Sequence, residues 1–187
     1  AADEATEMQR LVVLVSATFE GESTPGAGGA GIVFAATAER MYIATAAHVV
    51  RDMGRAATAV EVQSSAGGPS VRAQVVQFDD KDLDLAVLVV DQPRKAGLGI
   101  DKLPFARLAA ADSGRRGDPV FMAGRRGERL SINVTPDRVS TVSGSTIAFE
   151  TNFIVQGFSG GALFNDRWML LGMIVRDNPP EGEARAM

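Results

Sequence analysis

Apolar residues in this chain come in short, β-branched runs, and glycine, proline or acidic residues cut each run off. Leu11-Val12-Val13-Leu14-Val15, Ile32-Val33-Phe34, Met41-Tyr42-Ile43-Ala44-Thr45 and Leu85-Ala86-Val87-Leu88-Val89-Val90 are the clearest. Runs of roughly four to eight residues are strand-length, too short for core helices and far too short to span a bilayer. Val71, Ala73 and Val75 alternate with polar neighbours, as a half-buried strand requires. A second series follows at Pro119–Ala123, Leu130–Val134, Arg138–Val142, Thr146–Phe149 and Trp168–Val175. Many short strands separated by turns predict an all-β sandwich or barrel. With 187 residues, 45% of them apolar, the chain suffices for one domain or two small lobes.

Between the strands, residues 1–8 read as a polar, frayed end and residues 20–31 as a Gly/Ser/Thr/Pro loop. Val49 to Met53 reads as a short helical turn before a polar loop. Asp79-Asp80-Lys81-Asp82 reads as an acidic turn, and the strand after it is expected from Leu83 through Val90, with Asp84 near its start. The stretch after Val90 holds Pro93, Gly97, Gly99 and Pro104 without clear periodicity, and marks a connection between two lobes. The expected division is an N-terminal lobe over 1–92, a connection over 93–105 and a C-terminal lobe over 106–187.

Several function classes drop out. A net charge of -4 offers no basic stripe for nucleic acid. The absence of cysteine excludes disulfides, a thiolate zinc site and a cysteine nucleophile. Gly26, Gly28 and Gly31 fit Gly-x-Gly-x-x-Gly, but a strand follows where a dinucleotide site needs a helix. Asp80, Asp82 and Asp84 mimic the start of a calcium loop, yet Leu85 stands where glycine is needed and Asp91 where glutamate is needed. No metal or organic cofactor is expected.

The chemistry-bearing stretch is Gly157-Phe158-Ser159-Gly160-Gly161-Ala162-Leu163-Phe164. Flanking glycines permit a tight turn in which the amides of Gly157 and Ser159 converge on one point, as an oxyanion requires. Gly-x-Ser-x-Gly is also the α/β-hydrolase elbow, whose histidine follows the serine. Here the sole histidine, His48, precedes it, so the elbow is excluded. Taken singly, a histidine after an apolar strand is a structural residue, and a serine among glycines is a turn residue.

Three segments stand in chain order: Thr45-Ala46-Ala47-His48, Asp84-Leu85-Ala86-Val87-Leu88, and Gly157-Phe158-Ser159-Gly160-Gly161. Together they resemble the trypsin-like (chymotrypsin-fold) serine proteases, and more narrowly the bacterial HtrA-type branch. Gly28 to Phe34 resembles that family's approach to an early strand, and Gly117-Asp118-Pro119-Val120 the entry to its second barrel. The resemblance implies two six-stranded antiparallel β-barrels with the active site between them. It implies Ser159 as nucleophile, His48 as general base and acid, and Asp84 as the residue that orients the imidazole. A free imidazole titrates near 6.5, which suits the shuttle role. The amides of Gly157 and Ser159 would stabilise the oxyanion, each such donor being worth about 3–4 kcal/mol.

Asp79, Asp80 and Asp82 are local rivals for the acid. Asp84 is preferred because it leads directly into a strand, as the family's acid does. Phe158 departs from the family pattern. It cannot form the ion pair that an aspartate there makes with a newly cut N-terminus, nor is it the small polar residue usual in HtrA-type enzymes. Two roles stay open for it: packing against the second lobe, or holding the oxyanion loop in a non-productive state. The resemblance places Phe153 and Ile154 at the base of the specificity pocket, with walls near Val175 and Asp177. That set suits a small or medium apolar side chain before the scissile bond.

The expected activity is serine endopeptidase, acting on protein or peptide substrates. The alternative is a silent or gated protease-fold module that binds peptides without cutting them. An extracytoplasmic location, periplasmic or secreted, is the expectation from the family and from an N-terminus that fits either a mature end left after cleavage or a mere boundary of the sequence.

Overall fold

The computed structural model describes residues 2–26, 28–99, 114–133, 135–152, 157–178 and 181–187. The β-branched runs become strands of two closed barrels. The first barrel consists of β1 (Val12–Thr18), β2 (Gly28–Ala36), β3 (Arg40–Ala46), β6 (Ala59–Ser64), β7 (Ser70–Asp79) and β8 (Leu85–Asp91). Its strands pair antiparallel in the order β1-β2-β3-β8-β7-β6, and β6 closes back on β1. Between β3 and β6 lie a single helical turn, α2 (Ala47–Val50), and a small hairpin of β4 (Arg51–Asp52) and β5 (Arg55–Ala56).

The second barrel takes β9 (Pro119–Arg126), β11 (Asp137–Ser143), β12 (Thr146–Glu150), β13 (Ala162–Phe164), β14 (Leu170–Asn178) and β15 (Glu181–Ala186). Its order is β9-β11-β12-β15-β14-β13, closed by the pairing of β13 with β9. The remaining strand, β10 (Arg129–Ile132), forms a hairpin with β9. Numbered within each barrel, both orders read first-second-third-sixth-fifth-fourth. The predicted all-β, two-barrel architecture is therefore present. The predicted connection at 93–105 and Val134 lie wholly or partly outside the described residues.

Each barrel has its own core, and one of the two cores extends beyond its barrel. Val120, Met122, Val139, Ile147, Phe149, Leu163 and Ile174 pack together inside the second barrel. The cluster built on Leu11, Val15, Ile32, Ile43 and Leu88 fills the first and continues into Ala123, Ala162, Phe164, Leu170, Met173 and Val175 of the second. A continuous apolar seam thus sets the two barrels against each other, each buried large side chain contributing about 1.5–3 kcal/mol relative to exposure.

Four sequence expectations need correction. Residues 1–8 are not frayed: Ala2–Gln9 form α1, and Met8 is buried against the first barrel, fixing an otherwise polar helix. Residues 28–31 are strand rather than loop, paired with β1 from Ser16↔Gly28 to Val13↔Gly31. A Cβ at Gly31 would lie 2.6 Å from the Ile43 side chain, so the glycines answer to crowding, not flexibility. The polar stretch after Met53 contains β6, whose inward Val60 and Val62 alternate with Glu61 and Gln63. Trp168 is not in a strand; it takes a left-handed turn at φ 55°, stacks on Phe121, and β14 begins at Leu170.

Asp137 opens β11, and its Oδ2 is buried with no hydrogen-bond partner among the described residues. Burial pushes this carboxyl up, while a hydrogen bond with Thr151 pulls the other way. A carboxyl raised on folding weakens the fold once pH passes its unfolded value near 3.9, and the penalty vanishes below that value. Asp137→Asn is therefore expected to raise stability at pH 7, with the gain fading to nothing by about pH 3, as read by urea unfolding across a pH series.

Candidate active site

The site begins where β3 leaves the first barrel. Ala46 ends the strand, α2 turns the chain for one turn, and His48 projects from it half-exposed while Ala47, Val49 and Val50 are buried. Across from it, Asp84 sits at the last position before β8, not inside the strand as the sequence suggested. Its backbone is left-handed, at φ 52°. That conformation costs a non-glycine residue about 1–2 kcal/mol and persists only where neighbours dictate it.

The neighbours here are explicit. The Ala47 N–H donates to the Asp84 carbonyl at 3.0 Å. The His48 backbone N–H donates to Asp84 Oδ1 at 2.9 Å, and His48 Nδ1 lies 2.6 Å from Asp84 Oδ2. One carboxylate thus grips both the backbone and the ring of the same histidine, and Nδ1 carries the hydrogen that bonds to an ionised Asp84. Burial pushes the Asp84 carboxyl up, but its hydrogen bonds and charge contact with His48, aided by the Arg185 charge, outweigh burial and hold it below the ordinary range. Asp79, a rival, instead closes its own turn by accepting from the Lys81 and Asp82 amides.

The serine loop comes from the second barrel. Gly157 is at φ 110° and Gly160 at φ 84°, both open only to glycine without strain. The Gly161 N–H closes the turn onto the Phe158 carbonyl at 2.9 Å. Gly160 donates to Ile174 O at 2.7 Å, and Gly161 O accepts from Ile174 N at 2.8 Å, so β14 holds the loop from behind. Phe158 is wholly buried in the second core, where a Cβ at Gly124 would lie 2.4 Å from its ring. Of the two roles left open for Phe158, packing in the second lobe is what its ring does.

From the front, the loop docks on the first barrel. Ala30 N–H donates to Ser159 O at 2.9 Å. A Cβ at Gly29 would sit 2.6 Å from that same oxygen and 2.8 Å from the Val49 side chain, next to His48. Ser159 and the histidine-bearing turn therefore press on one glycine. A Cβ at Gly160 would fall 1.9 Å from Ala30 O and 2.6 Å from Thr45 Oγ1, while Thr45 itself donates to Ala30 O at 2.7 Å. Ser159 is 5% exposed. Among the described residues no backbone acceptor takes the amide N–H of Gly157 or Ser159.

Two features had no signal in the sequence. Arg125 on β9 reaches across to β1, donating to Val15 O at 2.9 Å and Ser16 Oγ at 2.7 Å. Its own N–H donates to Gly157 O at 3.2 Å, and a Cβ at Gly28 would collide with its guanidinium. Burial pushes its pKa down. Arg185 on β15 reaches the turn before Asp84.

A cleft of about 390 Å³ opens beside His48 and Asp84, and Val175, Arg176 and Arg185 of the second barrel line its far side. Of the predicted specificity residues, Val175 is thus placed at the cleft, and Asp177 is placed by its backbone pairing with Gly182. Phe153 and Ile154 lie outside the described residues. Among the described residues no cluster of His, Asp or Glu could hold a metal ion.

The model of the family described as Trypsin-like peptidase domain matches residues 29–173, a span that includes His48, Asp84 and Ser159. No curated protein matches the chain.

Two outcomes are expected. Gly160→Ala places a methyl against Ala30 O in a left-handed backbone and costs about 3 kcal/mol or more, whereas Gly21→Ala, at φ 88° with nothing within 4 Å, costs about 1 kcal/mol. Denaturant midpoints of the two variants separate these costs. A depressed carboxyl contributes stability above its unfolded pKa and loses it as pH falls through the lower folded value. The stability advantage of the wild type over Asp84→Asn should therefore hold above about pH 4 and shrink below it, as followed by unfolding at fixed ionic strength.

Proposed function

Because the chain belongs to the trypsin-like peptidase domain family, we propose that it is a serine endopeptidase using Ser159, His48 and Asp84. The observation that carries this reading is the two-point grip of Asp84 on His48, through the ring at 2.6 Å and the backbone at 2.9 Å. That grip puts the proton on Nδ1 and leaves Nε2 as the basic nitrogen, as acyl transfer requires.

Ser159 Oγ attacks the peptide carbonyl carbon while His48 Nε2 takes its proton. The amides of Gly157 and Ser159 bind the resulting oxyanion. The imidazolium, stabilised by ionised Asp84, returns the proton to the leaving amine, and the C–N bond breaks to leave an acyl-enzyme. Water, deprotonated by the same nitrogen, then releases the acid and restores Ser159. Beyond residue 174, β14 pairs among the described residues with β15 and with no other strand. Its other edge supports binding of an extended substrate strand. Val175, with Phe153 and Ile154, favours a small or medium apolar residue before the scissile bond. The glycine-rich β2 and the Gly117–Val120 entry favour the HtrA-type branch.

A gated form of the same enzyme is favoured by one observation, the 5% exposure of Ser159. It predicts slow reaction with an active-site probe that a peptide ligand accelerates.

Ser159→Ala is expected to abolish fluorophosphonate labelling and to lower peptide hydrolysis by roughly 10⁴-fold or more. Asp84→Asn, which leaves the wrong tautomer, should lower kcat about 10⁴-fold. A folded wild type that neither labels nor cleaves, with or without added peptide, would refute the enzyme and leave the peptide-binding module.

A further inference from the structure

Arg185 lies on the last strand of the second barrel, yet its guanidinium ends in the first. In β15 the residues alternate, Gly182 and Ala184 turning inward and Glu183 and Arg185 remaining half-exposed on the opposite face. Arg185 is paired in register with Thr146 of β12, and its Nη1 donates to the Thr146 hydroxyl. Anchored there, Nε donates to Leu83 O at 3.3 Å and Nη2 to Asp82 O at 3.3 Å. These are the two carbonyls immediately before Asp84.

The placement matters because Asp84 is strained. A left-handed aspartate at φ 52° relaxes toward ordinary backbone angles unless both sides are tied. On the C-terminal side, Leu85 enters β8 and pairs with Ala46 and Asp79. On the N-terminal side, residues 80–83 form an exposed turn whose internal ties run to Asp79. Among the described residues, Arg185 is the contact that fixes the Asp82 and Leu83 carbonyls from outside that turn. A guanidinium suits the task, since its planar fork reaches two acceptors at once and stays charged.

We propose that Arg185 is a positioning residue that holds the Asp84 turn in place from the second barrel, so that the His48–Asp84 pair stays aligned with the serine loop carried by the same barrel. The clamp spans the barrel interface, with donor and nucleophile on one body and acid and base on the other. Its effect on rate rests on the peptidase reading; its effect on the His48–Asp84 contact does not. The Arg185 charge also acts on the Asp84 carboxyl in the direction that keeps it ionised.

The test uses the full chain labelled with ¹⁵N-histidine, in which the single histidine gives one imidazole to follow. Wild type, Arg185→Met and Arg185→Lys are compared for the downfield Nδ1-bound proton resonance, for fluorophosphonate labelling rate, and for thermal midpoint. In Arg185→Met, at temperatures where it is fully folded, the resonance should broaden or vanish. Labelling should slow about 10–100-fold, the scale of an ångström-sized misplacement. Arg185→Lys, which reaches one carbonyl, should recover part of both. A sharp, unmoved resonance with wild-type labelling in Arg185→Met, and only a lower thermal midpoint, overturns the proposal. Should Arg185→Met not fold, Arg185→Lys decides by the same readouts. A wild type that shows the resonance but does not label refutes the peptidase reading, and the resonance in the variants still judges the clamp.

Discussion

Two backbones meet at the barrel interface closer than any side chain would allow. Gly160 approaches Ala30 so nearly that a Cβ would lie 1.9 Å from its carbonyl oxygen, and Gly29 approaches Ser159 O nearly as closely. The Ala30 N–H to Ser159 O hydrogen bond draws the loop in, and the Thr45 hydroxyl donates to Ala30 O beside the Gly160 backbone. This contact fixes where a residue of the second barrel stands relative to the end of β3, and therefore relative to His48. The apolar seam from Ile43 and Leu88 to Phe164 and Met173 supplies the adhesion. The glycines supply the register.

Around that contact, the two barrels divide the chemistry. The first contributes a histidine and an aspartate whose geometry is over-determined, with the carbonyl and both carboxylate oxygens of Asp84 bonded to Ala47 or His48. The second contributes a tight glycine turn held from behind by Ile174 and from below by the buried Phe158 ring. Arg125 and Arg185 then cross the interface in the same direction, each from the second barrel to main-chain carbonyls of the first. Charged donors on neutral acceptors form stronger hydrogen bonds than neutral pairs do, and they need no buried counter-charge where the guanidinium stays partly solvated.

Much of this was legible in the sequence because strands of a barrel carry a local signature. Met41–Thr45 and Leu85–Val90 are continuous apolar runs because their strands, β3 and β8, lie side by side in the barrel wall. The serine loop was legible because its tight turn needs glycine at the positive-φ positions Gly157 and Gly160. Where local and tertiary causes part, the reading failed. Gly28 and Gly29 look like loop, since crowding by Arg125 and Ser159 is a property of the partner barrel and not of the segment. The strand β6 carries only Val60 and Val62 as buried apolar markers and looks like a polar loop. The order His48, Asp84, Ser159 was readable from the motifs, and the His48–Asp84 contact agrees with it. Arg125 and Arg185 were not readable, because a long charged side chain announces neither its reach nor its target.

The account turns on Ser159 standing where its own amide, the Gly157 amide and the His48–Asp84 pair converge. The most direct measurement is a crystal structure of the full chain after reaction with a small fluorophosphonate ester. The account predicts phosphorus bonded to Ser159 Oγ, its phosphoryl oxygen accepting from the amides of Gly157 and Ser159, with His48 still joined to Asp84 and within hydrogen-bond reach of the adduct. An unmodified Ser159, or an adduct whose phosphoryl oxygen points away from both amides, would contradict it.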